Sequence, residues 1–401
     1  QKHLNKYDEL IMHNGIGFDI PVLLRLTDVD FSKHKITDTL LMSRLSNPSL
    51  EGGHSLKAWG DRLKFPKGDH NDWTKLSDEM VTYCIQDLNV TDTLYEHLVK
   101  KLEPFTGESL ELEHKVQEIV CRQMSNGWEL DQRKAFTLLA ILKERKMKLE
   151  ELVHETFKPL PNFIKEITPK TKKNGEMSIV GLKFLGDGWT NVGGVLSQID
   201  FPDFNLGSRQ QIARYLRRFG WTPQDFTEKG HAIVDEAVLS KVKGIPEASL
   251  IAEYLTVQKR MAQVDSWVEA VDTDGRVHGT VNTIGAVTGR MTHSSPNMAQ
   301  IPASYSPYGK ECRDCWSVPK GYKLVGIDAS GLELRMLSHY MDDQEYTNEV
   351  INGDVHTANQ KAAGLTTRDD AKTFIYAFLY GAGDAKIGSI IGGSKSDGAR
   401  L

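Results

Sequence analysis

The chain has 401 residues, a length that at roughly 100 to 200 residues per domain predicts two to four domains. Hydrophobic residues make up 39% of it and charged residues 26%, which excludes an intrinsically disordered or collagen-like chain. The 49 Lys and Arg against 54 Asp and Glu give a net charge of −5, which argues against a uniformly basic surface for nucleic acid or acidic lipid.

Cysteine usage and hydropathy indicate the compartment. The cysteines are too few for a disulfide framework, and Cys312 and Cys315 form a single CxxC without a second pair, so we predict no zinc site. No apolar run approaches the roughly 20 residues of a membrane span, and we therefore expect a soluble intracellular protein. The chain opens without Met and stops at Leu401 just after a helix and a glycine-rich turn, which favours a fragment cut at both ends.

The first half of the chain reads as an α/β unit followed by long helices. Short apolar runs such as PVLLRL alternate with helical stretches up to about residue 101, including a helix over 77–101. Residues 111–157 have helical spacing with a break at Asn126-Gly127-Trp128, and Asp131 is positioned to cap the second helix. Residues 158–204 are rich in proline, glycine and lysine, which predicts a loop-rich insertion.

A basic helix, SRQQIARYLRRFG, follows this insertion. A further helix is predicted over 246–271, and a turn-rich β segment begins at Gly275. Residues 142–218 hold 14 Lys and Arg against 9 Asp and Glu, a surplus of five positive charges inside an acidic chain. Such a surplus suits contacts with phosphates, and it suits a solvated helical face equally well.

The run KLVGID at 323–328 predicts a β-strand that ends in a carboxylate. Asp328 would project from the strand's end, where a carboxylate can hold Mg²⁺ together with water and substrate phosphates. Ser330 and Glu333 have the S-x-x-E spacing of a helix capping box, which gives Glu333 a structural explanation of its own.

A helix over RDDAKTFIYAFLYGAG carries a second candidate site. Arg368, Lys372, Tyr376 and Tyr380 stand four residues apart and therefore share one helix face. An anion such as a triphosphate explains two cations on adjacent turns better than helix stability does, and the aromatics can stack on a base or sugar. His356 is either a third phosphate donor or a structural histidine. The apolar side chains of the adjoining arc are expected to anchor the helix to a core: Phe374, Ile375, Phe378 and Leu379.

Two further groups of residues suggest binding or catalysis. Arg290 follows Gly289, whose lack of a side chain permits close approach to a nucleic-acid backbone or minor groove. Asp19 lies after an apolar strand, and Tyr83 and Asp87 share a helix face. A tyrosine beside two carboxylates suits metal-assisted hydrolysis, although ordinary helix-surface Asp residues are commoner.

The motifs DASGLELR, RDDAKTFIYAFLYGAG and TGRMTHSSPNMAQIP resemble family A DNA polymerases, and within that family most closely the replicative polymerases of T7-like bacteriophages. The upstream HNGIGFD, DTLLMSRL, HSLKAWG and YCIQD resemble the 3′→5′ proofreading exonuclease of the same family. The resemblance covers nearly the whole chain and thins between residues 158 and 204.

The resemblance implies roles for residues around the nucleotide. Asp328 is similar to one of two Asp ligands of two catalytic Mg²⁺ ions, with the Ala329 carbonyl assisting. Glu333 resembles the gate against a ribose 2′-hydroxyl, held by Tyr380. Tyr376 resembles the aromatic that packs on sugar and base, and as Tyr rather than Phe it implies acceptance of dideoxynucleotides.

The resemblance also implies roles in triphosphate binding, DNA contact and proofreading. Arg368, Lys372 and His356 resemble the grip on the incoming triphosphate, with Lys372 also counted as catalytic. Arg290 resembles the primer-terminus and minor-groove contact, and Gln300 a contact on the template side. Asp19, Asp87 and Tyr83 resemble residues of the second and third exonuclease motifs, which implies metal ligation by the two Asp side chains and a catalytic role for Tyr83.

Three departures from the family accompany the resemblance. The first exonuclease motif, a D-x-E, would lie upstream of Gln1, and the last polymerase motif, His-Asp-Glu, would lie beyond Leu401. The fragment alone is therefore expected to be inactive. The segment 158–204 stands where phage relatives carry a thioredoxin-binding loop but is distinctly shorter, which weighs against host thioredoxin as a partner.

The sequence therefore predicts an α/β multidomain protein with an RNase H-like 3′→5′ exonuclease domain and a right-hand polymerase. The expected domains are the exonuclease at 1–104, a helical thumb at 105–272 with the insertion, the first part of the palm at 273–340, and the first part of the fingers at 341–401. Its predicted function is template-directed DNA synthesis from deoxynucleoside triphosphates on primer-template DNA, with proofreading, in the cytoplasm of an infected bacterial host.

Three alternatives remain open at this point. The first is a non-catalytic remnant that binds primer-template DNA, and the second is a relative of single-subunit RNA polymerases. The third is a stand-alone exonuclease of the ribonuclease D type. The last explains only residues 1 to 104.

Overall fold

The computed structural model describes residues 1–168, 170–176, 196–227 and 229–401. The chain divides into two compact units, residues 1–322 and 323–401, and each is described by itself. This division does not test the four domains expected from the sequence, which stay a prediction.

Helices dominate both units. The described helices are Ile20–Leu26 (α1), Thr39–Ser46 (α2), Leu56–Arg62 (α3), Asp78–Lys101 (α4), Gly107–Asn126 (α5), Gln132–Thr156 (α6), Arg209–Arg218 (α7), Glu236–Leu239 (α8), Pro246–Glu269 (α9), Gly309–Asp314 (α10), Leu332–Met341 (α11), Gln344–Asn352 (α12), Val355–Ala362 (α13), Arg368–Leu379 (α14), Asp384–Ile390 (α15) and Lys395–Arg400 (α16). The described strands are Glu9–Met12 (β1), Lys35–Asp38 (β2), Trp128–Leu130 (β3), Asn162–Ile167 (β4), Leu196–Asp200 (β5), Arg276–Val277 (β6), Thr280–Asn282 (β7), Thr292–Ser294 (β8) and Trp316–Ser317 (β9).

The N-terminal part is a small α/β arrangement. Strands β1 and β2 pair in parallel, with Glu9 opposite Lys35 and Met12 opposite Asp38. The PVLLRL run lies in α1, directly after a π-helical turn over Gly15–Asp19. A compact apolar cluster joins α2, α3 and α4: Met42, Trp59, Leu94, Leu98 and Leu102.

The long helices confirm the sequence patterns. Helix α4 begins after Ser77, whose hydroxyl accepts a hydrogen bond from the Met80 amide. Helix α5 ends at Gly127, whose φ of 63° is readily accessible only to glycine. Asp131 caps α6 by accepting from the Lys134 amide. Strand β3 lies between these two helices in the chain and pairs antiparallel with both β6 and β9.

Helices α6 and α9 pack along each other and form the main core of residues 1–322. Leu142, Leu149 and Ile251 are fully buried in it. The predicted basic helix is α7, which begins after the capping Ser208 and turns Ile212 and Leu216 into this core. An aromatic cluster lies beside them: Phe157, Phe204, Tyr215 and Phe219.

The insertion at 158–204 is more regular than its composition predicts. Strands β4 and β5 form an antiparallel pair within it, with Phe163 opposite Ile199. Alternating side chains and cross-strand hydrogen bonds stabilise such a pair in spite of the many loop-forming residues nearby. Residues 169 and 177–195 of the insertion lie outside the described residues.

The strand predicted at 323–328 is absent, which corrects the sequence-based expectation. Residues 322–329 have no strand or helix assignment, and no described strand pairs with them. Val325 and Ile327 are 77% and 94% exposed. The physical reason is that an apolar run becomes a strand only when a neighbouring strand supplies hydrogen-bond partners, and the described chain places none there.

Helices α11 to α16 make up the second unit. The helix predicted over RDDAKTFIYAFLYGAG is α14, capped by the Thr367 hydroxyl, which accepts from the Asp370 amide. The expected anchoring arc is wrong in part, because Phe378 is 59% exposed and Ala371 is the buried residue of this helix. No described helix combines the length and the apolar character that crossing a bilayer requires.

The aromatic cluster around Phe157 predicts a large loss of stability on truncation. Phe157 is 1% exposed and its ring contacts those of Phe204, Tyr215 and Phe219, at centroid distances of 4.7, 5.9 and 5.5 Å. We expect Phe157→Ala to lower the free energy of unfolding by about 3–5 kcal/mol, measured by denaturant titration. Leu152→Ala, on helix α6 directly before Phe157 but 46% exposed, is the control and should cost clearly less.

Candidate nucleotide-binding site

One face of α14 carries the charged and aromatic side chains singled out by their spacing. Arg368 is the first residue of the helix, Lys372 and Tyr376 follow on successive turns, and Tyr380 is the residue that ends it. Arg368, Lys372 and Tyr380 are exposed and Tyr376 is half-buried. The helix therefore presents two cations and two phenol groups along one accessible stripe.

Glu333 connects α11 to the end of this stripe. The Tyr380 hydroxyl donates a 2.8 Å hydrogen bond to Glu333 Oε1. The capping box expected from Ser330 and Glu333 is not formed, because the N-cap is Gly331 in a left-handed conformation with no side-chain cap. Burial raises the pKa of Tyr376, and the nearby Glu333 carboxylate adds to the rise, so the Tyr376 phenol stays neutral at physiological pH.

Arg368 is held by a residue that the sequence reading missed. Asp354 accepts two hydrogen bonds from its guanidinium, Nε to Oδ2 at 2.8 Å and Nη2 to Oδ1 at 2.9 Å. The same carboxylate caps α13 by accepting from the amides of His356 and Thr357. Hydrogen bonds from Arg368 and Thr357 hold the pKa of Asp354 well below its usual range. The signal available in the sequence was the N-cap position of an Asp before a helical VHTANQ.

His356, on α13, lies beside Tyr376 of α14. Its ring centroid is 6.1 Å from that of Tyr376, the residue is half-buried, and its Nδ1 is a buried atom without a hydrogen-bond partner among the described residues. Burial lowers the pKa of His356, and the positive charges of Arg368 and Lys372 lower it further. The imidazole is therefore neutral at pH 7, with an unpaired ring nitrogen near two cations.

The proposed metal ligands of this unit, Asp328 and Ala329, lie in the exposed segment that lacks the predicted strand. The expected projection of Asp328 from a strand's end is therefore wrong for this structure. Across the described ranges, no three His, Cys, Asp or Glu side chains are grouped so as to hold a metal ion.

The candidate DNA contacts lie in residues 1–322. Arg290 is exposed at the end of a tight turn in which its carbonyl accepts from the amides of Gly285 and Ala286. Gly289 has a φ of 75°, a backbone conformation that residues other than glycine rarely adopt. Gln300 is exposed in a short 3₁₀ turn over Met298–Gln300. Both predicted side chains are accessible.

The N-terminal candidates are organised by Lys67, a second residue that the sequence reading missed. Lys67 Nζ lies 2.8 Å from Asp87 Oδ2 and 4.7 Å from the centre of the Tyr83 ring. Tyr83 also contacts Trp73 edge to face at 5.3 Å. Asp87 Oδ1 is buried and has no hydrogen-bond partner among the described residues.

Asp19 lies at the end of the π-helical turn and is exposed. Although the residue as a whole is exposed, partial desolvation of its carboxyl group raises the pKa of Asp19, and the charge of Asp38 contributes to the rise. Asp38 is itself buried, where its carboxylate accepts from the amides of Asn14, Ile16 and Leu40. These bonds give Asp38 a structural role beside the candidate acids.

The charges around His356 predict how its pKa responds to substitution. Arg368→Gln removes a positive charge and leaves the Asp354 carboxylate unpaired, and both changes favour imidazolium. We expect the pKa of His356 to rise in this variant, measured by an NMR pH titration of the ring protons. Lys361→Gln removes a positive charge from the last turn of α13 and should change the His356 titration clearly less; an equal response in both variants would contradict the assignment.

The chain is similar to DNA polymerases in sequence and in fold. A family model described as DNA polymerase family A matches residues 194–401. The DNA-directed DNA polymerases of Escherichia phage T7 and Enterobacteria phage T3 are each 35% identical over 496 aligned positions, which cover 98% of this chain and 70% of each relative. The thermostable DNA polymerase I of Thermus aquaticus is 31% identical over 44% of this chain and 23% of the relative.

A solved structure, the POL domain of Pol1 from M. smegmatis in complex with DNA primer-template and dNTP, has the same fold with a TM-score of 0.70 and 19% identity. The match covers 97% of this chain and 61% of the solved chain. The breadth of the sequence match decides against the RNA polymerase and ribonuclease D-type alternatives. The chain belongs to DNA polymerase family A and to the enzyme class of DNA-directed DNA polymerases, with T7-like phage polymerases among its relatives.

Proposed function

We propose that the protein extends a primer on a DNA template with deoxynucleoside triphosphates, and that the exposed stripe on α14 binds the incoming nucleotide. The observation that carries the proposal is the grouping of Arg368, Lys372, His356 and Tyr376 on one side of α13 and α14. The solved POL domain with this fold is itself in complex with primer-template and dNTP.

In the proposed reaction the primer 3′-oxygen attacks the α-phosphorus and pyrophosphate leaves. Arg368 and Lys372 would bind the β- and γ-phosphates, where their charges neutralise the negative charge that develops on the leaving group. The neutral phenol of Tyr376 would pack on the sugar and base. Glu333, held by Tyr380, would occupy the space that a ribose 2′-hydroxyl requires and so favour deoxyribose.

Family A DNA polymerases use divalent metal ions, and we propose two Mg²⁺ per active site. Mg²⁺ commonly takes one or two protein carboxylates and completes its shell with water and phosphate oxygens. The exposed Asp328 carboxylate and the Ala329 carbonyl fit a partial set of ligands of this kind, whereas the described residues do not supply the ligands of a two-ion site. Such ions, when bound, stabilise negative charge on the phosphates. Because one carboxylate and one carbonyl supply only part of a two-ion ligand set, we propose that the 401-residue chain alone does not extend primers.

We further propose a 3′→5′ exonuclease over residues 1–104, with Tyr83, Asp87 and Asp19 at its site. The parallel pair β1–β2 with helices beside it supports this proposal, as does the contact of Tyr83 and Asp87 with one lysine, Lys67. The buried, unpartnered Oδ1 of Asp87 suits a bound cation.

Arg290 and Gln300 are proposed as primer and template contacts, and the place of action as the cytoplasm of an infected bacterium. Residues 169 and 177–195 of the segment that stands where phage relatives carry a thioredoxin-binding loop lie outside the described residues. We do not propose thioredoxin as a partner.

Lys372 provides the direct test of the polymerase proposal. We expect Lys372→Ala in the full-length protein to lower single-turnover incorporation about 10- to 100-fold, because a charge-assisted phosphate contact is lost. Lys386→Ala, a substitution on α15, is the control. Normal incorporation by Lys372→Ala would contradict the site, whereas primer-template binding without incorporation by the unmodified full-length protein would favour the non-catalytic alternative.

Tyr83 provides the corresponding test for the exonuclease. We expect Tyr83→Phe to slow release of nucleotides from the 3′ end of single-stranded DNA by about 10- to 100-fold in the full-length protein, since the phenolic hydroxyl is lost. Binding of the DNA should not change. Tyr95→Phe, on the same helix, is the matched control, and an equal effect of both substitutions would count against a role for Tyr83.

A further inference from the structure

The Arg368 guanidinium is oriented by an ion pair within the protein. Asp354 engages it side-on through Nε and Nη2. An arginine has five N–H donors in a rigid fork, and this arrangement uses one on Nε and one on Nη2. Both donors of Nη1 have no hydrogen-bond partner among the described residues, so this edge is available to an anion.

Asp354 also fixes the neighbouring histidine backbone. Its Oδ1 accepts from the amides of His356 and Thr357 at 3.2 and 3.4 Å, and its Oδ2 accepts from the Thr357 hydroxyl at 2.8 Å. Its own amide donates to Glu349 Oε1 at 3.0 Å, near the end of α12. One carboxylate therefore links α13 to the first residue of α14, and its amide links it to α12.

We propose that Asp354 is a positioning residue for triphosphate binding, which acts by holding the Arg368 fork with its Nη1 edge toward the phosphates. This inference rests on the proposed nucleotide site and adds to it a residue and a mode of action. A flexible arginine on the first turn of a helix would lose rotamer freedom on binding, and the ion pair removes that cost in advance. The opposite mode, in which Asp354 competes with phosphate for Arg368, would make its removal favourable.

Asp354→Asn separates this role from helix capping. Asparagine caps helices about as well as aspartate, so α13 keeps its start, but the neutral amide cannot accept both guanidinium N–H groups in the same way. The matched control is Asp343→Asn, because Asp343 caps α12 through the Tyr346 amide and forms no ion pair with an arginine in the described part of the chain.

The measurement is the dissociation constant of a non-hydrolysable deoxynucleoside triphosphate for the full-length protein with bound primer-template DNA and Mg²⁺, determined by isothermal titration calorimetry. We expect Asp354→Asn to raise it about tenfold and Asp343→Asn to leave it within about twofold. In an Arg368→Ala background the same Asp354→Asn change should add less than about twofold, since its effect passes through Arg368.

The outcomes distinguish the inference from the proposed function. If the unmodified full-length protein does not bind the triphosphate, the nucleotide site fails and this inference fails with it. If the chain binds and Asp354→Asn binds equally well or more tightly, the positioning role alone is overturned. An undiminished tenfold effect in the Arg368→Ala background would show a structural effect of Asp354 instead, and would also overturn it.

Discussion

Two positive side chains, Arg368 and Lys372, stand one turn apart on an exposed helix face, and the repulsion between them is offset by the Asp354 carboxylate. The bidentate geometry makes this a directional contact as well as a charge balance. Because Asp354 also caps α13, the contact fixes His356 and Arg368 relative to each other. The proposed nucleotide chemistry depends on that arrangement more than on any apolar contact, since α14 buries little of its surface.

A second contact organises the far end of the same helix. Tyr380 is the residue at which α14 ends, and its hydroxyl bonds to Glu333 on α11. Glu333 is thereby drawn into the tyrosine contact and away from the local cap suggested by its spacing from Ser330. The long-range bond prevails because a left-handed Gly331 already begins α11 without a side-chain cap.

The N-terminal candidates follow the same principle. Tyr83 and Asp87 share a face of α4 because of helical spacing, yet it is Lys67, from the loop before α4, that contacts both. A lysine between a phenol and a carboxylate fixes the pair by charge and by cation–π attraction. Its position sixteen residues before Tyr83 follows from how the loop folds back.

The sequence by itself determined the features that depend on local spacing and capping. These include helix α4, the break at Gly127, the Asp131 cap of α6, and the shared face of Arg368, Lys372 and Tyr376. Each follows from neighbours within about four residues, so one short stretch of chain contains the whole cause.

Only the tertiary structure decided the features that depend on distant partners. The run at 323–328 has the composition of a strand, but it has no partner strand among the described residues and stays exposed. The partners Asp354 and Lys67 were not evident because an ion pair between separate elements leaves no periodic signal in the sequence. Spacing can place a charge on a helix face, but only the packing of another element determines which opposite charge meets it.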